Sequence, residues 1–262
     1  MESKGTALVT GASTGIGAVY ADRLARRGYD LIIAARDRDR LEALAQRLRS
    51  EYGVKVSVVR SDLSASADVE NIEKLVAATP DIRVVINNAG AALRGGFAEP
   101  ESSDIDALIR LNVTAVARIA HASVRAFLAN GGGSLVNIAS VLAVVPERSL
   151  GVYGATKAFV LSLSQSLQAE FGDQGIYVQA VLPAATRTEI WERSDRDVNQ
   201  LPGVMDTGDL VDAALAGFDQ REAITIPPLP DAAQWTAYDT ARKAMLPNFF
   251  NAQPADRYRV TA

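Results

Sequence analysis

Short aliphatic and β-branched runs recur along the chain with longer helical patterns between them, and this alternation restricts the fold more than any other feature. The runs are TALVT (6–10), DLIIAA (30–35), KVSVVR (55–60), RVVIN (83–87), GSLVNIA (133–139), IYVQAVL (176–182) and a weaker AITIP (223–227). Between them, Leu41, Leu44 and Leu48 fall at i, i+3, i+7, and Phe159, Val160, Leu163, Leu167 and Phe171 share one helical stripe. Most strand runs are apolar almost throughout, as a parallel sheet covered on both faces requires. The expected fold class is therefore α/β, a doubly wound parallel sheet of about seven strands with helices on both faces, in a single domain. GGGS at 131–134 reads as a helix-to-strand turn. Beyond Pro227 the pattern changes, and the extension 228–262 is expected to hold one helix and an irregular aromatic tail packed on the body or on a neighbouring subunit.

Composition narrows the chemistry. One histidine (His121) and no cysteine among 262 residues exclude disulfides, thiolate nucleophiles and cysteine-ligated metals, and disfavour a Ser-His-Asp triad; no metal site is expected. A net charge of −4 gives no general attraction to nucleic acid or anionic membrane. No apolar run approaches the roughly 18 residues needed to span a bilayer. The opening MESKGTALVT enters a strand at once and leaves no room for a signal peptide, so a cytoplasmic chain is expected.

Three local patterns point to a nucleotide-dependent reaction. Gly11, Gly15 and Gly17 lie where the first strand turns into a helix. A tight turn there lets a pyrophosphate approach the helix N-terminus and its unpaired N–H groups. The second strand ends at Ala34-Ala35-Arg36, where an acidic residue would take the ribose 2′-hydroxyl and an arginine accommodates a 2′-phosphate. Arg36 therefore favours NADP(H) over NAD(H), its planar fork donating paired, charge-assisted bonds. Arg38 and Arg40 read as a solvated helix start, with Asp37 as the N-cap candidate. Finally, Tyr153 and Lys157 stand four apart in VYGATKAF, one turn apart on one helical face.

Taken in order, these residues resemble the compact branch of the short-chain dehydrogenase/reductase family. T-G-x-x-x-G-I-G spans Thr10 to Gly17 and brings Ser13, Thr14 and Ile16 into the loop. Asp62-Leu63 resembles the adenine-contacting pair, and Asn87-Asn88-Ala89-Gly90 matches N-N-A-G. Asn112, Ser140, Tyr153 and Lys157 match the catalytic set, with Ser140 at the usual interval before the tyrosine. The resemblance covers roughly residues 5 to 227 and implies a Rossmann-type dinucleotide site with Gly11, Ser13, Thr14, Gly15, Ile16, Gly17, Arg36, Asp62, Leu63, Asn88, Ala89, Gly90, Tyr153, Lys157, Pro183, Thr186 and Thr188 on the cofactor. It implies hydride transfer between nicotinamide and a carbonyl or secondary alcohol, with Tyr153 as general acid/base, Ser140 on the substrate oxygen, Lys157 on the ribose hydroxyls and Asn112 supporting a proton relay. A free tyrosine titrates near pH 10, so lowering it to about 7 takes roughly 4 kcal/mol. A lysine charge about 4 Å away supplies roughly that much at an effective dielectric of 20, and only about 1 kcal/mol in water. The expectation is that Lys157 lowers the tyrosine inside a cleft that excludes water, with the cationic nicotinamide adding to the effect.

On the substrate side, the family's P-G-x-x-x-T appears as Pro183 to Thr188, with Ala184 in place of glycine, which puts the local loop shape in question. Residues 189–203 form a candidate lid. Leu93, Val141, Leu142, Leu150 and Trp191 are candidate walls for a partly apolar ketone or aldehyde. His121, in a helix expected over about 103–129, reads as a packing or interface residue. Apolar stripes on that helix and on the 155–172 helix resemble family surfaces that pair subunits, so a homodimer or homotetramer is expected. The competing class is an NADP(H)-binding, redox-sensing regulator without significant turnover. Such proteins usually lose a catalytic group, and this chain keeps all four. An epimerase or dehydratase would need a larger C-terminal substrate domain, and an enoyl reductase a longer tyrosine–lysine interval.

Overall fold

The structure, a computed structural model, describes residues 3–93, 95–148, 151–189 and 198–259. The chain divides into two compact units, Met1–Pro228 and Leu229–Ala262. The first is built on strands β1 (Thr6–Thr10), β2 (Asp30–Ala35), β3 (Val56–Arg60), β4 (Ile82–Asn87), β5 (Gly133–Ile138), β6 (Ile176–Val181) and β7 (Ile224–Thr225). They form one sheet in the order β3-β2-β1-β4-β5-β6-β7, and every pairing is parallel. The strands follow the apolar runs: the first two coincide with them, β4 starts one residue earlier, β3, β5 and β6 are one residue shorter, and the weak last run forms only a two-residue strand.

Helices α1 (Gly15–Arg26), α2 (Arg38–Tyr52) and α3 (Ser66–Ala77) join the first four strands. Helix α4 (Ser102–Ile109) runs through a π-helical turn (Arg110–Ala115) into α5 (Val116–Ala129), followed by α6 (Val152–Phe171) and α7 (Thr207–Asp219). The alternation of side chains along each strand sorts the apolar residues into two layers. One, under α1, α2 and α7, holds Val9, Ile33, Leu41, Leu48, Val136 and Val211. The other, under α3, α5 and α6, holds Leu8, Ile72, Val85, Ile119, Phe127 and Leu135. Each fully buried aliphatic or aromatic side chain contributes about 1.5–3 kcal/mol. Phe127 lies where a Cβ on Gly133 would fall, 2.2 Å from its ring, so the GGGS turn owes its small residues to a ring as well as to the turn.

One reading of the helices needs correction. Phe159 is not in the buried stripe: it is 37% exposed, while Val160 is buried and Leu163, Leu167 and Phe171 pack partly buried on the core. The long helix expected over about 103–129 is present as a continuous helical stretch, Ser102–Ala129, that widens into a π-helical turn at Arg110–Ala115; the Asn87 Nδ2 donates to the Val116 carbonyl at 3.0 Å where that turn rejoins α5. His121 is exposed on α5.

Two bidentate ion pairs, Arg23–Asp212 and Arg27–Asp219, tie α1 to α7. No helix among the described residues is long and apolar enough to cross a membrane. The C-terminal unit contains α8 (Ala232–Lys243), capped by Asp231, and ion pairs from Asp239 to Arg242 and Lys243. None of the residues of α8 is buried, and Phe249 and Phe250 are exposed.

Candidate active site

In this strand order the chain leaves β1 toward β2 on one side and later returns to β4 on the other, so a crevice opens at the carboxyl ends between β1 and β4. The structure brings the sequence-selected residues to that edge: Gly11–Gly17 after β1, Arg36 after β2, Asp62 and Leu63 after β3, Asn88–Gly90 after β4, Ser140 after β5 and Pro183 after β6.

The glycine turn is held by β4. The Asn88 Nδ2 donates to the Thr10 carbonyl at 2.8 Å and to that of Gly11 at 3.3 Å, and the backbone N–H groups of Asn88 and Ala89 donate to the Thr10 hydroxyl. Thr10, which opens the T-G-x-x-x-G-I-G motif but was given no role of its own, locks β1 to β4 at the mouth of the crevice through its one hydroxyl. A Cβ on Gly17 would lie 2.3 Å from the Gly11 carbonyl oxygen, so the turn exists only with glycine there. At the start of α1, Thr14 makes no side-chain cap and the first turn carries no acid. A closely approached backbone with uncapped N–H groups fits a pyrophosphate. Gly17→Ala is expected to weaken dinucleotide binding by about tenfold or more and to cost about 1–3 kcal/mol of stability, read by fluorescence titration and urea unfolding.

At the adenosine end, Asp62 accepts from the Ser64 hydroxyl at 2.7 Å and the Ser64 N–H at 3.0 Å. Those bonds, then the charges of Arg36 and Arg60, hold its carboxyl below the usual range. Arg36 is exposed and makes no ion pair among the described residues. Asp37 caps α2, accepting from the Arg40 N–H at 3.1 Å. Arg40 is exposed in the first turn of α2, as expected, and in addition its Nη1 lies 2.7 Å from both carboxylate oxygens of Glu189.

The catalytic candidates converge from three elements. Ser140, 6% exposed, leaves β5 in extended backbone and accepts from the Leu142 N–H at 3.2 Å. On α6, Tyr153 is half-buried and Lys157 is 6% exposed, its ammonium 5.7 Å from the centre of the tyrosine ring. The Lys157 Nζ donates to the Ile138 carbonyl at 2.8 Å. Asn112, fully buried, sits in the π-helical turn: its Oδ1 accepts from the Ala91 N–H at 3.0 Å, and its Nδ2 donates to the Ala91 carbonyl at 2.9 Å and the Thr156 hydroxyl at 3.1 Å. Gly90 joins the two, since a Cβ there would meet Asn112 Oδ1 at 3.3 Å and Lys157 Nζ at 3.4 Å.

The electrostatics differ from expectation. Burial pushes the Tyr153 phenol up to about 12, against a smaller lowering by its hydrogen bond with Ser140. Burial also pushes Lys157 down to about 8. Desolvation thus dominates at the phenol in the cofactor-free protein, while the ammonium lies over the tyrosine ring and bonds to the Ile138 carbonyl.

After β6, Ala184 adopts no positive φ, and Arg221 is the only non-glycine residue to do so among those described. The substitution of alanine for glycine is therefore accommodated without strain. Thr186 is buried and donates to the Ala184 carbonyl, and the stretch pairs with Met205 through the Arg187 and Met205 N–H groups. Thr188 packs over the glycine turn, 3.2 Å from where a Gly15 Cβ would be. Among the candidate pocket walls, Leu93, Val141 and Leu142 are half-buried. Leu150, Trp191 and most of the candidate lid lie outside the described residues. Phe97, absent from the sequence selection, is 70% exposed and within 3.3 Å of a Cβ placed on Gly151, two residues before Tyr153.

Comparison with known proteins shows the family. The sequence profile of the short chain dehydrogenases matches residues 5–199. A solved short-chain dehydrogenase from Sphingobium yanoikuyae in complex with NADPH superposes with a TM-score of 0.95, at 54% identity over 97% of this chain and 100% of that one. The bulky-bulky ketone specific alcohol dehydrogenase from Comamonas testosteroni superposes with a TM-score of 0.91, at 48% identity over 98% of this chain and 99% of that one. A very-long-chain 3-oxoacyl-CoA reductase of Danio rerio is 33% identical over 192 residues, 70% of this chain and 59% of the relative. The chain thus spans about three-fifths of the length of the first curated relatives it matches. It belongs to the short-chain dehydrogenases, a family of nicotinamide-dependent oxidoreductases.

Proposed function

We propose that the protein is an NADP(H)-dependent oxidoreductase that interconverts a ketone and its secondary alcohol, with Tyr153 as general acid/base. The meeting of Asn112 and Lys157 at Gly90 and the hydrogen bond between Tyr153 and Ser140, with a glycine turn shaped for a pyrophosphate, carry this reading. When bound, the nicotinamide supplies or accepts the hydride. In reduction Tyr153 gives its phenol proton to the carbonyl oxygen, and in oxidation it takes the proton from the alcohol. Ser140 donates a hydrogen bond to the same oxygen as charge develops on it. Lys157 holds the nicotinamide ribose hydroxyls and resupplies the proton, with Asn112 fixing the Ala91 backbone and Thr156 around it. Half-buried Leu93, Val141 and Leu142, with exposed Phe97 nearby, favour a ketone bearing apolar groups, and the bulky ketones named for the Comamonas relative suit that wall.

Steady consumption of NADPH absorbance across a panel of aryl and alkyl ketones tests the reading, and no turnover despite NADPH binding would refute it. Arg36, exposed at the end of β2, supports the preference for the phosphorylated cofactor, as does NADPH in the Sphingobium relative. Arg36→Ala is expected to lower the ratio of kcat/KM for NADPH over NADH by about tenfold to a hundredfold, the worth of a charge-assisted bond. Comparable kcat/KM for the two cofactors in the wild type would overturn the preference.

A further inference from the structure

The contact between Arg40 and Glu189 joins parts of the chain that start far apart on the sheet. Arg40 is in the first turn of α2, directly after β2, on the adenosine side of the crevice. Glu189 closes the described stretch that follows β6. Four strand spacings separate β2 from β6 in the order β2-β1-β4-β5-β6, roughly 19 Å at about 4.8 Å each. To reach α2, the chain after Val181 crosses the carboxyl ends of β5, β4 and β1, and its course is fixed at three points. At its base the Arg187 N–H donates to the Met205 carbonyl and the Met205 N–H to that of Ala185, Thr188 lies over the Gly15 turn, and the Arg40 guanidinium holds Glu189 at 2.7 Å. The base is itself anchored, since the Thr207 hydroxyl that bonds the Arg187 carbonyl opens α7, and α7 is ion-paired to α1. The strap therefore lies along the dinucleotide crevice, and its far end is fastened by an ion pair on the opposite wall.

We infer that Arg40 and Glu189 form a clasp across the crevice that must open for NADP(H) to enter or leave, so that this pair sets the rate of cofactor exchange. The inference rests on the dinucleotide reading of the crevice. Arg40 is held ready by Asp37, whose Oδ2 lies 3.3 Å from its Nε while Oδ1 caps the helix, so the guanidinium is pre-aimed and loses little freedom on closing. Both partners are about half exposed, with side chains 49% and 46% accessible, so the pair is a weak fastening that can open and close repeatedly.

The clasp has a kinetic signature that a direct contact with the cofactor lacks. An ion pair that must break in both directions raises the barrier to entry and exit alike, and removing it speeds both with little change in affinity. Stopped-flow fluorescence of NADPH binding and displacement, on wild type, Glu189→Gln and Arg40→Gln, reads this directly. Both variants are expected to raise association and dissociation rates together by about threefold to fivefold, the size of one exposed ion pair. The exchange Arg40→Glu with Glu189→Arg is expected to restore the wild-type rates. Opposite effects from the two single variants would mean plain charge steering of the anionic cofactor. A faster dissociation confined to Arg40→Gln would mean a phosphate contact. Unchanged rates would mean an idle surface pair. Each of these overturns the clasp and leaves the dinucleotide reading standing, whereas a wild type that binds no NADPH removes both.

Discussion

Tyr153→Phe is expected to lower kcat by about 10²- to 10⁴-fold while leaving NADPH affinity within about twofold. The substitution removes one oxygen from a half-buried ring, so the packing of α6 against the crevice persists. The phenol stands at about 12 in the cofactor-free protein, hence fully protonated at neutral pH and ready to donate to a carbonyl oxygen. On the proposed role of Tyr153, reduction starts from the protonated phenol, and its rate is expected to be flat across the neutral range. Oxidation needs the phenolate, and its rate is expected to rise with pH through that range. Steady-state kinetics in both directions, with NADPH binding followed by fluorescence, check both statements. A variant that kept most of its kcat would remove Tyr153 from the chemistry.

Lys157→Met is expected to abolish activity and at the same time to stabilise the cofactor-free protein. Burial lowers Lys157 from an ordinary 10.5 to about 8, so at neutral pH the fold carries an ammonium that the unfolded chain would hydrate. Below pH 8 both states hold the proton and the full penalty of ~3 kcal/mol applies. Between about 8 and 10.5 the unfolded chain keeps the proton that the folded chain has released, and stability rises with pH as the penalty is lifted. Tyr153 acts at the other end: its phenol stays protonated in the fold from 10 to about 12 while the unfolded chain ionises, so its contribution falls with pH there. Methionine fills similar volume without charge but leaves the Ile138 carbonyl without its donor, at a cost of about 1 kcal/mol. The net gain at pH 7 is about 2 kcal/mol, and the rise between pH 8 and 10 is expected to vanish. Urea unfolding at pH 7 and pH 9.5, without nucleotide, measures both. A stability for wild type that is level over that interval would show that the ammonium is better solvated than its burial implies.

These two residues also mark the limit of what sequence patterns express. The strand runs, the glycine turn and the four-residue interval from Tyr153 to Lys157 are local, set by side-chain periodicity and backbone sterics within a few residues. They were legible for that reason, as was the Asp37 cap on α2. Thr10 was legible as the start of a motif but its role was not, because that role lies in the Asn88 and Ala89 N–H groups 78 and 79 residues away. Arg40 looked like a solvated helix start because its partner Glu189 is 149 residues distant. Phe159 was misplaced for a related reason: helical periodicity gives the stripe, but the edge of the stripe is decided by where neighbouring layers end.

The sequence by itself determined the class of fold and the chemical inventory of the site. Apolar runs of strand length, alternating with helical stripes, point to a doubly wound sheet, the lack of cysteine excludes thiolate chemistry, and the family resemblance supplies Asn112, Ser140, Tyr153 and Lys157 as candidates. The tertiary structure decided the electrostatics and the closure. Whether Lys157 lowers Tyr153 depends on which atom the ammonium meets and how much water both lose, and the fold aims it at Ile138 and the face of the ring. Whether the chain after β6 lies across the crevice depends on contacts among Gly15, Thr188, Arg40 and Glu189, which no local pattern encodes because their energies exist only once distant segments have been brought within a few ångströms.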